Sequence, residues 1–402
     1  MPVEAKSPIA SLPRGRLPAM KAVGLFAGIG GIEVGLERAG WTTELFSEVD
    51  EAAQRVLRCR FPDVPLTGDV RDIRSLPAVD LVAAGFPCQD LSQAGTTAGI
   101  DGSRSGLVDE VFRLVSGRRR RCPSWLLIEN VSFMLHLDGG RAMAHLTESL
   151  SGLGFRWAYR VVDTRAFGLP QRRQRVIMLA SRTEDPAPVL LGEEAPSNEQ
   201  TDAEGRACGF YWTEGLKGLG WAVDAVPTLK GGSTVGIPSP PAILLTDGTI
   251  KVPGIRDAER LQGFDVDWTA PAVDDPGRRN GPRWKLVGNA VSVPVAEWLG
   301  RRLAHGQVGG PVKGSRLDPG APWPRAGQGE GGAAYEVPVG MWPEGHRYHH
   351  LEQFLCHPLS PLSRRALGGF LSRARRSTLH FPKGLLEAVE EALGVEVEDD
   401  VA

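Results

Sequence analysis

The chain has 402 residues, 42% hydrophobic and 23% charged, and 46 Lys+Arg against 48 Asp+Glu leave a net charge of −2. That length predicts two or three domains with ample core, and the near-neutral balance excludes a bulk-basic nucleic-acid binder, so a polyanion has to be met by a local patch. Collagen, coiled-coil rods and disulfide-stapled mini-proteins are excluded by composition, a membrane span by the lack of an apolar run of ~18 residues.

Residues 1–20 are Pro-rich, lack the apolar stretch of a signal peptide, and read as a flexible arm. From Lys21 strands and helices alternate. Lys21–Ala27 is an apolar strand, Gly28–Gly31 a turn, and Ile32–Gly40 an amphipathic helix. Thr42–Asp50 repeats the strand and Glu51–Phe61 the helix; Ala78–Pro87 and Trp125–Glu129 are further strands, with a helix over Val108–Val115 between them. Arg156–Thr164 and Arg175–Ser181 complete the pattern. Such alternation predicts an α/β fold with a doubly wound, mostly parallel sheet over residues 21–183. Residues 184–284 are rich in Pro, Gly, Trp and Thr and read as a smaller irregular domain, although Ile255–Gln262 has a helical pattern. Residues 285–304 hold a further amphipathic helix over Val293–Leu303. Residues 305–345 read as a Gly/Pro-rich linker, and 346–402 as a small helical extension.

The turn Phe26-Ala27-Gly28-Ile29-Gly30-Gly31 stands where a doubly wound sheet brings a nucleotide to a helix N-terminus. A dinucleotide fingerprint would place its third glycine at Glu33, which weakens a nicotinamide reading. Glu48, twenty residues after Gly28, is placed to hold a ribose diol, and Asp69 ends the next expected strand. Cys88, in the loop Gly85-Phe86-Pro87-Cys88-Gln89-Asp90-Leu91-Ser92 at the carboxyl edge of the sheet, is a candidate nucleophile; a buried structural cysteine is the alternative. Glu129, in Glu129-Asn130-Val131, ends the neighbouring strand and is a candidate general acid. In Gln171-Arg172-Arg173-Gln174-Arg175, Arg173 and Arg175 alternate on an extended segment and point the same way; a solvated basic turn is the alternative.

The ordered set FAGIGG, SEVD, GDV, GFPCQDLS, ENV, QRRQR and KLVGNAV, over about residues 21–304, resembles the DNA (cytosine-5) methyltransferase family. The resemblance implies a Rossmann-like S-adenosylmethionine-dependent methyltransferase domain with an inserted target-recognition domain, residues 285–304 being the segment that returns to the catalytic domain. It implies S-adenosyl-L-methionine as cofactor, held by Phe26, Gly28, Gly30, Gly31, Glu48, Val49, Asp69, Val70, Pro87, Leu107, Asn289 and Val291. Cys88, Glu129, Arg173 and Arg175 would carry the chemistry on a flipped cytosine. Gln89, Ser92, Arg104 and Gln171, together with Thr228, Leu229, Lys230 and Gly231 of the recognition domain, would meet duplex DNA. The loop Gln89–Gly106 would close over the extruded base. The implied setting is a monomeric cytoplasmic enzyme beside separately encoded restriction or defence proteins.

Other charges carry less. Arg118–Arg121 reads as a solvated turn. His346, His349, His350 and His357 read as surface histidines, and no metal is expected. The basic residues Arg364, Arg365, Arg373, Arg375, Arg376 and Lys383 precede an acidic end, and either a DNA-contact module or a segment packed on the core fits them.

Overall fold

A computed structural model describes residues 19–86, 106–116, 123–232, 238–273, 281–306 and 312–394. Most of the N-terminal arm, nearly all of the loop after Phe86, and Arg118–Arg121 therefore lie outside the described residues.

The strands of the first domain are β1 (Lys21–Leu25), β2 (Thr42–Ser47), β3 (Leu66–Thr67), β4 (Leu81–Ala84), β5 (Trp125–Val131), β6 (Arg156–Asp163), β7 (Gln171–Arg172) and β8 (Gln174–Ser181). Then come β9 (Cys208–Phe210), β10 (Trp221–Val223), β11 (Val226–Pro227), β12 (Ala242–Leu244) and β13 (Ile250–Val252). The C-terminal part adds β14 (Ser315–Arg316), β15 (Ala326–Glu330), β16 (Ala333–Glu336) and β17 (Ser360–Pro361). The α-helices are α1 (Gly31–Arg38), α2 (Glu51–Arg60), α3 (Leu107–Val115), α4 (Arg141–Gly152), α5 (Pro186–Leu191) and α6 (Ile255–Leu261). They continue with α7 (Gly281–Asn289), α8 (Val293–Ala304), α9 (Leu351–Phe354), α10 (Arg364–Ala374) and α11 (Leu385–Leu393).

The central sheet runs β14-β16-β15-β6-β8-β5-β4-β1-β2-β3. From β3 to β5 every pairing is parallel, and from β5 outward through β8, β6, β15 and β16 every pairing is antiparallel. The parallel half is doubly wound. The central strand β4, Leu81-Val82-Ala83-Ala84, is buried throughout, as a strand covered on both faces requires. On one face Val108, Val111 and Val115 of α3 and Met143, Leu146 and Leu150 of α4 pack on the sheet. On the other, Leu36 of α1, Leu190 of α5 and Trp298 and Leu299 of α8 do so. The core thus holds rigid the carboxyl edge of β1, β2, β4 and β5, where a doubly wound sheet carries its ligand.

Two expected boundaries are corrected. Residues 305–345, read as a linker, supply three strands of the central sheet: β15 pairs antiparallel with β6, and Trp323 packs edge-on against Trp157 and Tyr159. Its glycines are packing residues. A Cβ at Gly329 would lie 2.2 Å from the Trp157 ring and one at Gly327 3.0 Å from the Tyr159 ring, so the rings of β6 can rest on β15 only if both positions are bare. Residues 184–284 are likewise not one unit, because Ala187, Val189, Leu190 and Leu191 are buried in the first domain's core.

The smaller lobe, expected from the resemblance to be the recognition lobe, is a sheet in the order β10-β9-β12-β13-β17. Its last strand comes from the segment expected to be a separate extension. Phe210, Ala242 and Ile250 of this sheet form one core with Leu367, Phe370 and Leu371 of α10 and Leu385 and Val389 of α11. The opposite face packs on α6 and α7 through Ile243, Ala258, Leu261, Trp284 and Val287.

Candidate active site

Each side chain of the site is held by local chemistry that the sequence dictates. In the turn after β1, Phe26, Gly28 and Gly30 have φ of 56°, 57° and 81°, a left-handed run that glycine tolerates and that costs Phe26 on the order of 1 kcal/mol. A Cβ at Gly31 would lie 2.4 Å from the Val291 carbonyl oxygen, so the turn can seat against the returning segment only as glycine. Glu48 closes the turn: its carboxylate accepts from the Gly28 amide at 2.7 Å and the Asp50 amide at 2.8 Å. A carboxylate has about four acceptor positions, so two remain for a pair of hydroxyls. Burial raises the Glu48 pKa above the ordinary carboxylate range, against the pull of those amides. Asp50 caps α2 by accepting from Ala52 and Ala53, and pairs with Lys285 of α7 at 2.7 Å.

These groups line a cavity of about 600 Å³, within the roughly 300–1,000 Å³ of small-molecule sites. Phe26, Gly28, Glu48, Val49, Asp69, Val70, Leu107 and Asn289 all contribute to its wall. Val49 is 66% exposed on the rim. Asp69 is ion-paired with Arg71, which holds its pKa below the usual value. Gly30 and Gly31 shape the turn without lining the cavity. Val291, expected in the wall, packs its side chain on the core of the opposite sheet face.

The same cavity reaches Glu129, Asn130, Val131 and Arg175. In the β5–β8 register Arg175 stands opposite Val131 and diagonal to Glu129, which puts Arg175 Nε 3.0 Å from Glu129 Oε1. Burial of the Glu129 carboxyl raises its pKa, although Arg175 and Arg173 pull it down. Gly85 and Phe86 also line the cavity, and Asn130 Nδ2 donates to the Phe86 carbonyl at 3.0 Å. Asn130 thus belongs to the site, and its place next to Glu129 in the sequence is the signal that points to it. Pro87, Cys88, Gln89, Ser92 and Arg104 lie outside the described residues.

Four assignments change. Arg173 is 1% exposed, and its guanidinium donates to the carbonyls of Leu229 (3.1 Å), Gly288 (3.2 Å) and Ala290 (2.6 Å). It is a positioning residue that ties the recognition lobe and the returning segment to β8. Gln171, expected at the DNA, is fully buried; its amide donates to the Leu261 carbonyl and accepts from the Leu229 amide. Leu229 is therefore a core residue whose amide and carbonyl are both used internally. Thr228 is held similarly, its hydroxyl donating to the Arg172 carbonyl and its carbonyl accepting from Tyr211. Lys230 sits 4.0 Å from the Tyr211 ring centroid and 3.3 Å from Glu214, and Gly231 packs beside Asn289. Among the described residues, Asp257, Cys356 and His357 approach within 4.8 Å as a ligand-like trio. The Asp257 carboxylate there already accepts from Arg260 and from the amides of Cys356 and His357.

The glycine turn, Glu48 and the buried Glu129–Arg175 pair thus share one cavity at the carboxyl edge of the parallel half-sheet. The family model described as C-5 cytosine-specific DNA methylase matches residues 20–207. The Type II methyltransferase M2.BsuMI of Bacillus subtilis (strain 168) is 51% identical over 376 residues, covering 89% of this chain and 94% of that protein. The Type II methyltransferase M.NgoBI of Neisseria gonorrhoeae is 31% identical over 298 residues, 69% of this chain and 90% of its own. Among solved structures, the S. pombe Dnmt2 methyltransferase aligns with a TM-score of 0.49 at 16% identity, over 70% of this chain and 97% of that one. The chain belongs to the C-5 cytosine-specific DNA methylase family. It is a DNA (cytosine-5) methyltransferase, and that membership implies S-adenosylmethionine dependence. Among the described residues no helix is long and apolar enough to cross a membrane.

Proposed function

We propose that this enzyme methylates carbon 5 of a cytosine extruded from one short duplex sequence, through a covalent adduct with Cys88. The observation that carries the reading is one cavity joining Glu48 to the Glu129–Arg175 pair, walled by the Gly85-Phe86 step that leads into Cys88. When bound, S-adenosyl-L-methionine supplies an electrophilic methyl group on a sulfonium centre. The lining residues fit it: Glu48 for ribose hydroxyls, Val49 and Phe26 for the adenine faces, Asp69 and Asn289 for polar edges.

Carbon 5 of cytosine is a weak nucleophile. Addition of the Cys88 thiolate to carbon 6 pushes the 5,6-double-bond electrons to carbon 5, which would form the new bond to the methyl carbon as the methyl–sulfur bond breaks and its electron pair stays on sulfur as a neutral thioether. Loss of the carbon-5 proton to water then restores the double bond as the carbon–sulfur bond breaks and the thiolate leaves. Glu129, kept protonated more readily by its burial, donates to ring nitrogen 3 and draws electrons toward the ring as sulfur adds. Arg175 orients that carboxyl. The target carbon is unreachable inside a stacked duplex, so the base is extruded at a cost of a few kcal/mol.

The relatives are named Type II methyltransferases. That name supports a restriction–modification or phage-defence setting, and a monomeric cytoplasmic enzyme with separately encoded companion proteins is the form proposed for it. DNA carrying 5-fluorocytosine in place of cytosine tests the adduct, because without a carbon-5 proton the final elimination stops. With S-adenosylmethionine the enzyme should form a protein–DNA complex that survives denaturation, and Cys88→Ala should form none. An enzyme that methylates ordinary DNA yet never becomes trapped has no covalent step.

A further inference from the structure

The C-terminal segment shares its core with the recognition lobe, and the stretch from Arg373 to Lys383 lies at one end of that lobe's sheet. At this end the Tyr211 hydroxyl donates to the Thr228 carbonyl at 2.6 Å and Lys230 lies over the Tyr211 ring. Trp212 Nε1 donates to the Pro240 carbonyl at 2.8 Å, and the hydroxyls of Thr213 and Ser239 meet at 2.9 Å. The same end therefore carries the Lys230 loop, which reaches the active-site cavity through Gly231 and Asn289. Arg373, at the C-terminal end of α10, donates to the Trp212 carbonyl. Trp221 Nε1 donates to the His380 carbonyl at 2.9 Å. Residues 373–383 are thus fixed beside the loops that flank Lys230.

The positive charge is concentrated in one stretch of chain, and α11 sets Glu390 against it. No Asp or Glu occurs between Glu352 and Glu387, a stretch that holds six Lys and Arg. Arg375 is paired with Glu390 at 2.7 Å, whereas Arg376 and Lys383 are exposed. Their platform is firm: the Phe370 ring centroid lies 4.6 Å from that of Phe210, with Leu367, Leu371 and Ala374 buried around it. A near-neutral protein must meet a polyanion through such a patch.

We propose that the end of α10 and the segment 375–383 form a second phosphate-contacting surface of the recognition lobe, with Arg376 and Lys383 meeting the duplex backbone outside the target sequence. The inference rests on the duplex-DNA reading above. Backbone contacts position a protein without reading bases, so the surface would add affinity and salt dependence and leave the target sequence unchanged.

The test compares full-length wild type, Arg376→Gln/Lys383→Gln, and a control with the same charge change at remote exposed positions on and beside β14, Lys313→Gln/Arg316→Gln. The probe is a labelled random-sequence duplex titrated over a range of salt. The first double variant should bind on the order of tenfold more weakly and lower the slope of log affinity against log salt by about two, roughly one per lost phosphate contact. Its methylation rate at saturating DNA should equal that of wild type, and the control should bind as wild type does. Steep salt-dependent binding by wild type with no change in the first variant, or an equal loss in the control, overturns this surface and leaves the duplex reading standing. A wild type that binds no duplex overturns the duplex reading and this surface with it.

Discussion

Ending the chain after Gly306 is expected to yield an insoluble protein with no cooperative unfolding transition. The cut removes β15, the partner of β6, together with Trp323, and opens Trp157 and Tyr159 to water. It also removes the buried Val337 and Trp342 from the first domain's core. In the recognition lobe it strips Leu367, Phe370, Leu371, Leu385 and Val389 from Phe210, Ala242 and Ile250. Each large apolar side chain stabilises by about 1.5–3 kcal/mol when buried, so the loss exceeds the ~5–15 kcal/mol that separates a folded domain from its unfolded chain. Soluble yield and thermal unfolding check this. A soluble fragment 1–306 that binds S-adenosylmethionine would make the C-terminal part an accessory.

The second large effect concerns Glu33. Its carboxyl is 1% exposed beneath β1, one oxygen lies against Gly24, and the other has no hydrogen-bond partner among the described residues. Burial pushes its pKa from the usual 4.5 to about 8. The folded protein therefore holds a proton on Glu33 between those values while the unfolded chain does not. Stability tied to this group is fully present below pH ~4.5 and is lost as pH rises through about 8. At about 1.4 kcal/mol per pKa unit, the rise corresponds to on the order of 5 kcal/mol. Glu33→Gln, neutral at every pH, should flatten this part of the profile and gain on wild type as the pH approaches 8. Urea unfolding at several pH values reads it directly. Parallel profiles for the two proteins would mean that Glu33 is already ionised in the fold.

What the sequence revealed was local, and what it concealed was made by distant partners. The glycine turn, Glu48 and Glu129 were legible because a doubly wound sheet puts its strand ends at fixed intervals along the chain. The pairing of Glu129 with Arg175 followed from β5 and β8 being neighbours, and the alternation of Arg173 and Arg175 hinted at it. That alternation also misled. Arg173 and Gln171 face buried backbone carbonyls and amides of segments more than fifty residues away, and no local pattern carries that information. Residues 305–345 read as a linker because glycine is the usual mark of flexible chain. Here Gly327 and Gly329 are bare so that two aromatic rings of β6 can lie on β15. The C-terminal helices looked separate for a related reason: their apolar faces are ordinary, and the sheet they cover lies far back in sequence.

The most direct test is base-resolution mapping of 5-methylcytosine in DNA from a host that makes none of its own, expressing wild type or Cys88→Ala. Methylation confined to one short motif, and absent with Cys88→Ala, is the expected result. Methylation that persists in Cys88→Ala, or none from a wild-type protein that binds S-adenosylmethionine, contradicts a Cys88-dependent, sequence-specific DNA methyltransferase.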